Sequence, residues 1–282
     1  MKNWVAGSVL VLSAVVLGAC GGNEETSNEE ASTEGAESLV SDGVLTVGVT
    51  GGPHEQIVNK VAELAEEQGL DFTIEAQVFS DYVMPNVALD EGEIDLNSFQ
   101  TEPFFEEMKE SRSLDLIRVG DTVTFPMGIY SLEYGDVNDL PDGARIGLPS
   151  DPTNSGRALA LFEQAGLIKV EEGVGLQATV MNIAENENNY DFIELDSAQI
   201  PRQLDELDAA AINTNFALEA GYVPAEDSIF IEPSDSPFVN LVASRTENQD
   251  DEAITQFLEL YHSDEVKEFI DQEFPGSLVP SW

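Results

Sequence analysis

Residues 44–79 read VLTVGVTGGPHEQIVNKVAELAEEQGLDFTIEAQVF, which is the pattern of a strand, a helix and a second strand. Residues 44–49 are rich in β-branched side chains, and the Gly-Gly-Pro at 51–53 predicts a turn. Apolar side chains then recur at helical spacing over 57–65, and residues 72–79 again have a strand pattern. Two strands joined by a helix form a βαβ unit, which predicts a parallel sheet and an α/β fold.

The rest of the chain repeats this alternation. Further strands are predicted at 94–96, 114–124, 144–148, 192–195, 209–212 and 238–243, and helices at 81–91, 155–166, 199–207 and 251–274. Two such βα sets in a body of about 240 residues predict two lobes around a cleft. Ligands of open parallel sheets bind beyond the carboxyl ends of the strands. We therefore expect the segments 50–54, 97–104 and 150–157 to be loops at the cleft.

The composition of the 282 residues narrows the class of protein. There are 55 Asp and Glu against 11 Lys and Arg, a formal charge of −44, which excludes most nucleic-acid-binding proteins because phosphate contacts need clustered cations. Hydrophobic residues make up 42% of the chain, enough for a folded core. One cysteine and two histidines exclude an intrachain disulfide and argue against a Cys/His zinc cage. We predict neither a metal nor a cofactor.

The acidic residues are spread along the whole chain. Two interpretations are open: a surface that binds cations or basic partners, and a surface adapted to high salt, where carboxylates hold water and salt screens their repulsion. The even spread favours the halophile-type surface.

The N-terminus has the pattern of a lipoprotein signal peptide over residues 1–19. A positive start is followed by a run of about 14 residues, too short to span a hydrocarbon core of ~30 Å. The run ends in LGAC at 17–20, like a bacterial lipobox; the alternative is an ordinary secretory signal that happens to end in cysteine. Because Cys20 is the only cysteine, we predict that it is acylated and anchors the protein to the extracytoplasmic face of the cell membrane. Residues 20–42 would then be this cysteine and a flexible acidic tether.

Arg157 is the most conspicuous candidate for a binding side chain. It is one of few cations, and the helix predicted from residue 155 places it in the first turn, where the helix dipole disfavours positive charge. An arginine held there can bind a carboxylate through two hydrogen bonds. The alternative is a surface arginine paired with a local acid.

Aromatic side chains are the second group of candidates. Tyr82, Phe99, Phe104 and Phe105 either wall an apolar pocket or belong to the hydrophobic core, which is the commoner place for such residues.

Amides and histidines complete the set. Asn213 and Asn240 follow or lie within apolar strands, where a buried amide must be hydrogen bonded, either to the backbone or to a ligand's amino and carboxylate groups. His54 is predicted to serve the start of a helix. Neither histidine is near a nucleophile motif, so we predict no enzyme.

Several segments carry a resemblance to a known family, in order over residues 43–282. They are GGPH at 51–54, SDYVMPN at 80–86, ALDEGEID at 88–95, NSFQ at 97–100, DPTNSGR at 151–157, LIK at 167–169, GVGL at 173–176, AINTN at 211–215, SPFVN at 236–240 and the ending SW at 281–282. The chain resembles the methionine-binding lipoproteins of ABC importers, the MetQ/NlpA lipoprotein family.

The resemblance implies a two-lobed periplasmic-binding-protein fold of the Venus-flytrap type, with the ligand cleft between lobe 1 (43–125 and 237–282) and lobe 2 (126–236). The residues that it places around the ligand are Tyr82, Phe99, Thr101, Phe104, Asn154, Arg157, Asn213 and Asn240. The arginine would pair with an amino acid's carboxylate, and the asparagines would bond the carboxylate or the amino group. The aromatic rings would surround a thioether, because sulfur makes favourable contacts with aromatic rings.

The function implied is that of a monomeric, lipid-anchored protein that captures L- or D-methionine, or a close analogue, and delivers it to an ABC permease. The chain has no P-loop, so ATP hydrolysis would belong to a partner ATPase subunit. Two positions depart from the family pattern: Thr101 stands where many relatives have histidine, and Phe104 where tyrosine is common. The alternatives are a methionine-containing dipeptide, another amino acid, or a sensory or adhesion lipoprotein without transport. A surface hydrolase ranks last.

Overall fold

The computed structural model describes residues 38–282. The predicted signal peptide, Cys20 and most of the predicted tether lie outside these residues. Among the described residues, no helix has the length and apolar character needed to cross a membrane.

Strands and helices alternate along the described chain. The strands are β1 (Val44–Thr50), β2 (Thr73–Phe79), β3 (Leu96–Thr101), β4 (Leu116–Thr124), β5 (Gly128–Tyr130), β6 (Arg145–Pro149), β7 (Lys169–Val170), β8 (Ile183–Glu185), β9 (Asp191–Leu195), β10 (Ala209–Ile212), β11 (Ser228–Ile231), β12 (Val239–Arg245) and β13 (Val279–Pro280). The helices are α1 (Pro53–Gln68), α2 (Met84–Asp90), α3 (Glu102–Arg112), α4 (Pro152–Gln164), α5 (Ile200–Gln203), α6 (Thr214–Glu219), α7 (Pro224–Asp227), α8 (Glu252–Tyr261) and α9 (Asp264–Glu273).

The first sheet has the strand order β13-β4-β12-β3-β1-β2. The predicted βαβ unit is confirmed, because β1 pairs in parallel with β2 from Val44 opposite Thr73 to Thr50 opposite Phe79. β3 is also parallel to β1, whereas β12 runs antiparallel to both β3 and β4. The carboxyl ends of β1 and β3 therefore meet at one edge of this sheet.

The second sheet has the order β11-β5-β10-β6-β9, with β6 parallel to its neighbours β9 and β10. The chain passes from the first sheet to the second at residues 125–127, which we name the first crossing. It returns at residues 232–238, the second crossing. The predicted lobe boundaries fall within these two crossings, and we use the names lobe 1 and lobe 2 for the parts that carry the first and second sheets.

The two sheets have separate cores. In lobe 1, the apolar face of α1 packs against β1 around Ile57, Val61 and Val47, while Glu63 and Glu66 on its other face are exposed. In lobe 2, α4 packs against β6 through Leu159 and Phe162. The high-salt interpretation of the acidic surface stays a prediction.

The end of the predicted tether contacts lobe 1. Leu39 and Val40 are partly buried against its core, and the Leu39 N–H donates to Asp251 Oδ2 over 2.9 Å.

The bounds of several local predictions were wrong, as three examples show. α4 begins at Pro152 because the Asp151 carboxylate caps it, accepting from the Asn154 N–H at 2.9 Å, so Arg157 lies in the second turn. The expected loop at 97–104 is β3 followed by the start of α3. The single helix expected over 251–274 is divided into α8 and α9, because Ser263 caps a new helix.

Candidate ligand-binding cleft

A cavity lies between the lobes. It is lined by His54, Tyr82, Phe99, Gln100, Thr101, Phe104, Phe125, Asn154, Arg157, Asn213, Thr214, Asn215 and Asn240. The structure thus brings every one of the predicted ligand-binding side chains to the wall of one cavity. Their contact with a ligand stays a prediction.

Arg157 is buried in this wall, with 3% of its surface exposed. Its Nε donates to Glu232 Oε1 at 2.8 Å, and its Nη2 donates to Glu232 Oε2 at 2.6 Å and to the Phe125 carbonyl at 2.8 Å. The guanidinium also lies 4.2 Å from the centre of the Phe238 ring. Among residues 38–282, Nη1 donates to no protein acceptor, so its N–H groups are left for the cavity. The alternative of a surface ion pair is wrong, since the partner of Arg157 is a buried acid.

Asn154 is held by its own helix cap. Its Nδ2 donates to both carboxylate oxygens of Asp151, at 2.9 and 3.1 Å, which fixes Oδ1 on the other side of the amide. That oxygen accepts from Asn213 Nδ2 at 2.9 Å. Asn154 therefore positions Asn213 rather than presenting a free amide.

Asn213 is left with a buried acceptor. Its Oδ1 has no hydrogen-bond partner among the described residues, although it is shielded from solvent. A buried polar atom without a partner costs about 1–3 kcal/mol. A ligand that brings an N–H group to this oxygen recovers that free energy.

Asn240 provides a second hydrogen-bond acceptor, because His54 engages the other end of its amide. The Nδ2 of Asn240 lies 2.9 Å from His54 Nε2, and His54 Nδ1 lies 2.8 Å from Thr50 Oγ1. Burial lowers the pKa of His54 to about 3, so the ring is neutral and Nε2 accepts from the amide. The Oδ1 of Asn240 is then free to face the cavity.

His54 lies in the first turn of α1, as predicted, but sequence reasoning missed its place in the cavity wall. The same holds for Gln100, Phe125, Thr214 and Asn215. His54, Gln100, Thr214 and Asn215 belong to the segments that carry the family resemblance, and this was the signal in the sequence that could have identified them.

His54 gives a prediction for stability against pH. The pKa of His54 is lower in the folded protein than the ordinary 6.5, so below that pH the unfolded chain binds more protons than the folded one. The contribution of His54 to the free energy of unfolding is therefore lost as the pH falls toward 3. In the wild-type protein, we expect this effect to lower the free energy of unfolding by about 1.4 kcal/mol for each pH unit between about pH 6 and 4. In His54→Gln this decrease should be absent. Urea unfolding of both proteins across this range measures the difference. Parallel pH profiles would show that His54 is not buried in its neutral form.

Aromatic rings form the apolar side of the cavity. The Tyr82 ring centre lies 5.9 Å from that of Phe99, 5.7 Å from that of Phe104 and 4.9 Å from that of Phe216. Phe105, by contrast, is fully buried in a core cluster of lobe 1 and does not line the cavity. Tyr82, Phe99 and Phe104 therefore line the pocket, whereas Phe105 belongs to the hydrophobic core.

Tyr82 also links the lobes. Burial raises the pKa of its phenol well above the ordinary value, and the neutral hydroxyl donates to Asn215 Oδ1 at 2.6 Å. Thr101, beside the rings, is buried, and among the described residues its side chain makes no hydrogen bond with protein atoms. The cavity thus combines a guanidinium edge, two free amide oxygens and an aromatic wall.

The pattern of the NlpA lipoprotein family matches residues 45–282. The chain belongs to the NlpA lipoprotein family. The resemblance stated from the sequence is confirmed.

Known proteins of similar sequence align over most of the chain. It is 37% identical over 284 residues to the D-methionine-binding lipoprotein MetQ of Escherichia coli K12, covering 100% of this chain and 98% of that protein. A nutrient-binding protein from Burkholderia cenocepacia bound to methionine is 40% identical, with a TM-score of 0.82 over 84% of this chain and 100% of its own. A periplasmic substrate-binding protein of an ABC transporter from Coxiella burnetii is 36% identical, with a TM-score of 0.80 over 84% and 100%. The two-lobed binding-protein fold is confirmed.

Proposed function

We propose that this protein captures methionine, in its L or D form, and delivers it to the permease of an ABC importer. The observation that carries the proposal is the grouping, in one cavity, of the Arg157 Nη1 edge, the partnerless Asn213 Oδ1 and a ring cluster around Tyr82. The first suits a carboxylate, the second an ammonium and the third an apolar side chain that carries sulfur.

The proposed pose follows from the hydrogen bonds already made. The ligand carboxylate meets Nη1 of Arg157, because Nε and Nη2 are engaged by Glu232. The ammonium lies between Oδ1 of Asn213 and Oδ1 of Asn240. The thioether lies among the rings of Tyr82, Phe99 and Phe104.

The mechanism is closure of the lobes on the ligand. Lobe 1 supplies the aromatic side chains and Asn240, and lobe 2 supplies Arg157 and Asn213. A ligand that touches both lobes stabilises the closed arrangement over an open one, because only the closed arrangement makes both sets of contacts. The protein binds and releases its ligand without chemical change.

Membership of the family supports a proposal for the partners and the location. The acylated Cys20 would hold the protein at the extracytoplasmic face of the membrane, beside a permease and its ATPase, with the folded body acting as a monomer. The relative from Coxiella burnetii, described as part of an ABC transporter, supports import over sensing or adhesion. Permease and ATPase genes next to the gene for this protein would support import further, and their absence would favour the sensory role.

Titration calorimetry on the full-length protein tests the ligand. We expect L- or D-methionine to bind, and norleucine, which has a methylene in place of the sulfur, to bind about 2- to 10-fold more weakly because it loses sulfur–aromatic contacts of about 0.3–1.5 kcal/mol. A dipeptide such as Gly-Met should bind more weakly still, because with its carboxylate at Arg157 its ammonium lies one residue farther away and leaves Oδ1 of Asn213 without a donor. Equal binding of norleucine, or preference for the dipeptide, would contradict the assignment.

A further inference from the structure

A buried carboxylate lies directly behind Arg157. Glu232, which is 5% exposed, accepts from Nε and Nη2 of Arg157 at 2.8 and 2.6 Å. It also accepts the Met127 N–H at 3.0 Å and the Ser236 hydroxyl at 3.1 Å. Met127 belongs to the first crossing and Ser236 to the second, so this carboxylate joins both connections between the lobes.

The pair formed by Arg157 and Glu232 sets the charge of the cavity. In the part of the chain that the structure describes, Arg157 is the only lining side chain with a formal charge, since His54 is neutral. The adjacent carboxylate cancels that charge at a distance of a single hydrogen bond. Because the wall is buried and its dielectric constant is low, the carboxylate strongly reduces the electrostatic potential that the guanidinium produces in the cavity. The ligand therefore meets oriented donors and acceptors but no net charge.

A neutral cavity discriminates between ligands by their net charge. A zwitterionic amino acid has none, and its ammonium pairs with the buried oxygen of Asn213. A carboxylic acid of the same shape without the amino group brings one uncompensated negative charge and leaves that oxygen without a partner. Both effects act against the anion.

We propose that Glu232 is a specificity-determining residue, which neutralises Arg157 so that the cleft selects zwitterionic amino acids over carboxylic acids that lack the α-amino group. The proposal rests on the proposed function, since it assumes that Arg157 receives the ligand carboxylate. Glu232 thus influences which ligand binds although it does not line the cavity.

The test compares two ligands on the wild-type protein and on Glu232→Gln. The ligands are L-methionine and 4-(methylsulfanyl)butanoate, which is methionine without its amino group. We expect the wild-type protein to prefer methionine at least 100-fold. In Glu232→Gln the uncompensated guanidinium attracts the anion but also repels the nearby ammonium of methionine, so the preference should fall about 10-fold or more.

The ratio of the two affinities separates this role from a structural one, because a disturbed cleft weakens both ligands alike. Ser236→Ala is the matched control: it removes one hydrogen bond from the same carboxylate but leaves its charge, and the ratio should stay within about 2-fold. If Glu232→Gln does not fold, Glu232→Asp replaces it. The shorter side chain places the carboxylate farther from Arg157, so it compensates the charge of the guanidinium less well. The ratio of the two affinities should therefore fall about 2- to 3-fold.

The outcomes are distinct. An unchanged ratio in folded Glu232→Gln, or in Glu232→Asp if it is needed, overturns the role of Glu232 and leaves methionine binding intact. A wild-type protein that binds neither ligand overturns the proposed function, and the role of Glu232 with it.

Discussion

Replacing Arg157 with alanine is expected to weaken methionine binding by about 2–5 kcal/mol, or roughly 30- to 5,000-fold in Kd. Nη1 is the hydrogen-bond donor that the guanidinium keeps free for a ligand, and no other charged side chain lines the cavity within the described residues. Without it, a ligand carboxylate loses its water and gains no cation. Titration calorimetry measures the loss.

The same substitution also affects folding, and this must be separated from binding. Glu232 would be left as a buried carboxylate without a counter-charge, which costs about 3–5 kcal/mol of stability. Urea unfolding and circular dichroism establish that the variant is folded at the temperature of titration. Arg202→Ala is the matched control, because Arg202 is an exposed arginine of lobe 2 that does not line the cavity, and its loss should leave affinity unchanged. An Arg157→Ala protein that is folded and binds methionine normally would remove Arg157 from the site.

Replacing Asn213 with leucine is expected to weaken methionine binding by about 1.5–3 kcal/mol, or roughly 10- to 150-fold. Leucine has a similar size but cannot accept a hydrogen bond from the ligand ammonium. The free energy of unfolding should change by less than about 1 kcal/mol, because removal of a partnerless buried oxygen offsets loss of the hydrogen bond to Asn154.

A ligand without an ammonium supplies the control for Asn213. The affinity of 4-(methylsulfanyl)butanoate should change far less than that of methionine, since this acid has no N–H group to donate. Calorimetry with both ligands decides the point. Equal losses for the two would show that Asn213 shapes the cavity and does not recognise the amino group.

Much of the fold follows from local patterns in the sequence. The strand predicted at 44–49 and its parallel partner at 72–79 agree with β1 and β2 to within one residue at each end, because their apolar patterns are unbroken. The strand predicted at 94–96 overlaps β3 only at Leu96, and the remainder of β3, with its polar Asn97 and Gln100, was expected to be a loop. These amides are buried, and with Asn86 they satisfy one another, for example through Gln100 Nε2 and Asn97 Oδ1 at 2.9 Å. Such mutual satisfaction appears only in three dimensions.

Less of the candidate site than of the fold could be predicted from the sequence. Arg157 stands out because cations are few, but its partner Glu232 is one of 55 acidic residues and nothing in the sequence singles it out. The direction of each amide was also hidden. Asn213 has a free oxygen only because the Asp151 cap turns the amide of Asn154, and this chain of contacts joins two segments that are far apart in the sequence.

A crystal structure of the protein with bound L-methionine tests the central claim most directly. We expect the ligand carboxylate within hydrogen-bonding distance of Arg157 Nη1, with Glu232 still on the opposite edge of the guanidinium. The ammonium should contact Oδ1 of Asn213 and of Asn240, and the sulfur should lie among the rings of Tyr82, Phe99 and Phe104. A ligand bound with its carboxylate away from Arg157, or with its amino group away from both asparagines, would contradict the account.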